Sequence, residues 1–133
     1  MGKGETTRPH EAARRLAIGF AAVRIGYAAA LVVAPKQMGG PWLGDAAASG
    51  GGRVAARALV ARDAFISAGA GLAALRGEPV NPWLTALVAS DLTDIAATLA
   101  DRHDLPERSA PGTVLIAGAA ALAGVALARA LNE

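Results

Sequence analysis

The stretch 110–128, APGTVLIAGAAALAGVALA, contains no charged residue and no polar stripe at helical spacing. A helix that is apolar all round sits either at the centre of a large core or in lipid. A chain of 133 residues is one domain and supplies too little core to surround such a helix. The stretch therefore points to a bilayer as the solvent of the fold. Three further apolar stretches, at 16–34, 54–75 and 82–100, are also near the ~20 residues that cross a hydrocarbon core. The first runs up to Pro35, and the third starts at Pro82, a favourable first-turn residue. Composition agrees: 18% of residues are charged and 53% hydrophobic, against about 25% charged in soluble domains.

The links divide the chain in the same way. Segment 36–53 holds Gly39-Gly40-Pro41, Trp42 and Gly50-Gly51-Gly52, and reads as a flexible loop. Arg76-Gly77-Glu78-Pro79 is a tight connection, and 101–108 is a charged loop. Trp42 and Trp83 fall at segment ends, where interfacial aromatics belong. With no alternating apolar pattern and no internal repeat, the expectation is all-α. It is a bundle of four transmembrane helices over 16–131, preceded by a basic cytoplasmic segment, 1–15.

Orientation follows from Lys and Arg outside the spans. With the N-terminus in the cytoplasm, that side carries Lys3, Arg8, Arg14, Arg15, Arg76 and Arg129, and the other carries Lys36, Arg53, Arg102 and Arg108. The basic cluster before the first span strengthens this bias. Both termini are then cytoplasmic, and the expected location is the inner (cytoplasmic) membrane, multi-pass. The first span is too long for a signal-peptide h-region and is interrupted by Arg24. Gly2 with Thr6 matches the myristoylation spacing and is taken as a chance match.

Three spans carry ionisable groups away from their ends: Arg24 in the first, Arg57, Arg62 and Asp63 in the second, Asp91 and Asp94 in the third. Each costs about 2.5–3.5 kcal/mol at a helix centre. At ~1.5 Å per residue, Arg24 and Asp91 lie at matched depth from one face, and Arg62 and Asp94 from the other. These are the expected pairs. Arg57 falls near the level of Thr98, one turn from Asp94. Asp91, Asp94, Thr98 and Asp101 share one face of the third helix, beside Ser90. Three Arg and three Asp can form a neutral network, and paired, hydrogen-bonded charges are far cheaper in a low-dielectric interior than isolated ones. Such a network either fixes helix order and register or marks a substrate, ion or proton path.

The chemistry that is missing narrows the function. There is no Cys, so disulfides, thiolate catalysis and Cys-type zinc sites are excluded. Gly50–Gly52 leads into Arg53 rather than a Lys-Ser/Thr pair and is no phosphate loop. Asp101, His103, Asp104 and Glu107 read as a solvated loop in preference to a metal site. Asp101, His103 and Asp104 are also the only candidates for lipid-directed acid–base chemistry. No catalytic residue, metal or cofactor is expected, and a net charge of +2 does not imply nucleic acid. Membrane lipids are the expected partners, together with a homo-oligomer or a membrane subunit. Small-xxx-small spacings at Gly26/Ala30, Ala120/Gly124 and Gly124/Ala128 allow close helix approach.

The segment Arg57-Ala58-Leu59-Val60-Ala61-Arg62-Asp63, with Gly69 beyond it, resembles a pattern in small four-helix bacterial (actinobacterial-type) integral membrane proteins of unknown function. Arg24, Gly26 and Pro35 in the first helix and Asp91 in the third are similar to that family too. The resemblance implies the four-helix membrane fold and carries no activity. The leading expectation is a non-enzymatic structural or accessory membrane subunit with a buried Arg/Asp network. The alternative is a small oligomeric transporter or proton-coupled channel using the intramembrane Asp residues.

Overall fold

The computed structural model describes residues 7–132, with side chains from His10. Gly2, Lys3, Thr6 and the side chain of Arg8 lie outside the described residues. The described chain is helical: α1 (Thr7–Val33), α2 (Pro35–Leu43), a 3₁₀ turn (Gly44–Ala48), α3 (Gly50–Arg76), α4 (Asn81–Ala100) and α5 (Ser109–Ala130). Four helices are long and apolar enough to cross a membrane: α1 from His10, α3, α4 and α5. At ~1.5 Å per residue, α3, with 27 residues, is about 40 Å long. That exceeds the ~30 Å of a hydrocarbon core.

Two expectations about the links are corrected. Segment 36–53 is not a flexible loop. Pro35 has no N–H to continue α1, and Ala34 leaves helical geometry (φ −130°, ψ 61°). Pro35 then opens α2 at the first position, where its fixed φ suits a helix. Nor are Gly50–Gly52 loose: they form the first turn of α3, whose Ser49 side chain accepts the Gly52 N–H at 2.9 Å. The helices also overrun the bounds expected for the spans. Residues 7–15 in particular are the first turns of α1 rather than a separate segment.

Alanine and glycine set the packing. The closest partners are α1 with α3, and α4 with α5, whereas α3 and α4 touch over less of their length. Ala17, Ala70, Ala73, Ala74, Leu84 and Leu87 form the buried core. Small residues bring the backbones together where no bulky side chain intervenes. A Cβ on Gly69 would stand 2.4 Å from the Trp83 ring, so the indole packs directly on the α3 backbone there, edge-on to Phe65. Gly124 is buried against Val88. Trp83 and Trp42 are half-buried, the first packed on Phe65 and the second bonded through its N–H to Thr98. Val114, Leu115, Ile116 and Leu122 leave much of α5 as an exposed apolar surface.

The turn between α3 and α4 is closed by Gly77, in the left-handed region at φ 73°. It is held from outside by Arg14, which donates to the carbonyls of Gly77 at 3.2 Å and Glu78 at 3.1 Å. Asn81 donates to Asn132. The start of α1, the α3–α4 turn and the end of α5 thus share one end of the bundle. The opposite end holds α2, the 3₁₀ turn and the loop before α5, where the Ser109 hydroxyl donates to the Trp42 carbonyl.

Candidate functional site

Five side chains from three helices form one ladder of alternating charge. Arg24 of α1 donates to both oxygens of Asp91 on α4, Nη1 to Oδ2 at 3.0 Å and Nη2 to Oδ1 at 2.9 Å. The same Nη2 reaches Asp63 Oδ2 on α3 at 3.5 Å. Asp63 Oδ1 accepts from Nε of its neighbour Arg62 at 3.0 Å. Arg62 Nη2 then crosses to Asp94 on α4, 2.9 and 3.1 Å from its two oxygens. The order is Asp91, Arg24, Asp63, Arg62, Asp94. Asp63 joins two rungs that depth matching treats as separate.

The two halves differ in exposure. The Arg24 and Asp91 side chains are 11% and 6% exposed. Arg62, Asp63 and Asp94 are 30%, 25% and 19% exposed. Periodicity explains the contrast. Asp63 lies on the buried stripe of α3 that continues through Ser67, Ala70 and Ala74. Arg62, one residue earlier, is rotated about 100° onto the flank of that stripe. The Phe20 ring lies 5.6 Å from the Arg24 guanidinium carbon, one turn earlier on α1, and adds a cation–π contact. Arg24 Nε and the fully buried Ser67 hydroxyl have no hydrogen-bond partner among the described residues.

Arg57 does not join the ladder. It is exposed and has no ion-pair or hydrogen-bond partner among the described residues. Five residues separate it from Arg62, a rotation of about 140° at 100° per residue, so it emerges on the outer side of α3. It is also only seven positions from the start of a helix longer than a hydrocarbon core is thick, within reach of the interface for a snorkelling side chain. The expected neutral set of three Arg and three Asp is thereby corrected. The ladder holds three carboxylates against two guanidiniums, a net charge of −1 with all five ionised.

Thr98 sits at the end of the ladder without being a rung. Its buried hydroxyl donates to the Asp94 carbonyl at 2.8 Å and accepts the Trp42 indole N–H at 3.0 Å. It thus ties α2 to the ladder helix. Trp42 is a site residue that sequence reasoning placed at a lipid interface; the signal available was that a buried indole N–H requires an acceptor. Asp101, at the C-cap of α4, is exposed, as are His103, Asp104 and Glu107. No group of three or more His, Asp or Glu is placed to hold a metal ion among the described residues.

No protein-family model matches the chain. No curated protein and no solved structure matches it either.

Proposed function

We propose that the chain is a non-enzymatic structural or accessory subunit of the cytoplasmic membrane, with both termini on the cytoplasmic side. Its Arg–Asp ladder acts as the device that fixes helix order and depth. One observation carries this reading. The most shielded rung, Arg24–Asp91, is a bidentate pair between α1 and α4, and Asp63 extends it to α3. Elsewhere α1 packs on α3 through small residues such as Ala17, Ala21, Ala70 and Gly71, which approach closely but specify register poorly, and α1 and α4 make no close backbone approach among the described residues. A charge pair at depth gives register a strong penalty for error, because removing one partner strands the other in low dielectric. The orientation rests on Arg14, Arg15, Arg76 and Arg129 at one end of the bundle.

A second reading is a small oligomeric transporter or proton-coupled channel working through Asp63, Asp91 and Asp94. The excess of carboxylates over guanidiniums is what favours it. The two readings separate experimentally. Arg24→Gln and Asp91→Asn are compared for folded yield in detergent and for ion flux in liposomes. The structural reading expects yield and thermal stability to fall in both variants, with no Asp-dependent flux in the wild type. Variants that stay fully folded and lose a measurable wild-type flux would reject it in favour of transport.

A further inference from the structure

We propose that the seam between α3 and α4 is the docking face for a transmembrane helix of a different chain, one that carries a single Lys or Arg at the depth of Asp63. The inference rests on the accessory-subunit reading and names its partner's chemistry.

Two observations converge on this seam. One is charge: the ladder is one cation short. The deficit is centred on Asp63, whose Oδ2 has only the 3.5 Å contact with Arg24. The other is exposure. Arg62, Asp63 and Asp94 keep 30%, 25% and 19% of their side-chain surface open. Arg62 lies on the flank of α3, and α3 and α4 pack together less extensively than α1 with α3 or α4 with α5. Acyl chains offer no hydrogen bonds to that surface, and polar groups in hydrocarbon are expensive unless covered. A proton on one carboxyl would cancel the charge and still leave the polar surface against lipid. A helix bearing one cationic side chain does both, covering the seam and supplying a close donor to Asp63 Oδ2, which has only the 3.5 Å contact. Ala58 and Ala97, one turn from Arg62 and Asp94 on the same sides of their helices, leave room for close helix approach.

A second copy of this chain fits the seam poorly. Copies that thread the membrane in the same direction and meet face to face at this seam would oppose two ladders of net −1. The chain's own spare cation, Arg57, is on the outer side of α3, six positions or about 9 Å along the axis from Asp63. The partner helix therefore comes from another sequence.

The test uses the full-length protein in phosphatidylcholine vesicles with three synthetic Leu/Ala transmembrane peptides. These are identical except for a central Lys, Gln or Glu, and association is read by energy transfer between labels. Close charge pairs couple strongly, so the Lys peptide is expected to bind roughly tenfold or more tightly than the Gln peptide, with the Glu peptide weakest. Moving the Lys two turns toward the peptide end should abolish the preference. Asp63→Asn should erase the difference between the Lys and Gln peptides while leaving weak association intact. Equal binding of the Lys and Gln peptides to the wild-type protein overturns the proposal, and this needs no variant to fold. Self-association that Asp63→Asn abolishes overturns it too and gives the seam to a second copy. Thermal unfolding of Arg24→Gln without peptide is measured in the same vesicles. A stability loss there, with no Lys preference, rejects the docking face and leaves the structural reading standing; full stability rejects the structural reading.

Discussion

Arg24 and Asp91, 67 residues apart in sequence, meet through two parallel hydrogen bonds of 2.9 and 3.0 Å in the most shielded part of the bundle. Fork-to-fork geometry of this kind fixes the relative height and rotation of two helices, because both bonds fail together when either helix slides. The less shielded rung, Arg62–Asp94, is open on one side and constrains less.

That difference makes a graded prediction. Arg24→Gln strands Asp91 and should destabilise the protein by about 3–5 kcal/mol, the range for breaking one side of a buried pair. Arg62→Gln should cost less, since it breaks a pair that the protein shields less and Asp63 keeps its contact with Arg24. Equilibrium unfolding in mixed micelles checks the order. Equal costs would mean that shielding does not set the energetics of the ladder.

Arg57→Gln should change stability by no more than about 0.5 kcal/mol, as for surface positions with no special role. The same unfolding assay reads it. A loss comparable to that of Arg62→Gln would place Arg57 in the network after all.

Gly69→Ala puts a methyl 2.4 Å from a rigid indole. The Trp83 ring has to leave α3, at a cost of about 1–3 kcal/mol by the usual penalty for overpacking. Trp83→Leu in the same background should recover part of the loss. Thermal stability of the two variants and the double variant checks it.

Thr98→Val removes the acceptor for the Trp42 N–H while keeping side-chain shape, and leaves a half-buried donor unpaired at about 1–3 kcal/mol. Because α2 hangs on this bond and on Ser109, the predicted readout is local. Trp42 fluorescence should shift, and α2 should become accessible to proteolysis before the four long helices. Unchanged protection of α2 would show that the Ser109 contact alone suffices.

Much of this arrangement is legible in the sequence, because depth along a helix is a matter of counting. Span positions and the levels of Arg24, Asp91, Arg62 and Asp94 all follow from a fixed rise per residue. Azimuth is harder to read. Arg57 and Asp63 are both charged and both within a turn or two of Arg62, yet one faces outward and the other inward. Which face α3 buries depends on partners that no local pattern names in so alanine-rich a helix. Segment 36–53 misled for another reason. Gly and Pro disfavour helix in general, but Pro35 opens α2 and Ser49 caps the turn of Gly50–Gly52, at helix starts where they cost little, whereas Gly39, Gly40 and Pro41 lie inside α2.

The central claim is that Arg24 and Asp91 act as a unit that sets helix register. A double-mutant cycle with Arg24→Asp, Asp91→Arg and the exchanged pair, unfolded at equilibrium in lipid bicelles, tests it most directly. Each reversal alone should be severely destabilising and the exchange should restore a large part of the loss, with a favourable coupling of more than about 1.5 kcal/mol. Two single reversals whose costs simply add in the exchanged pair, or that leave the protein as stable as the wild type, would contradict it.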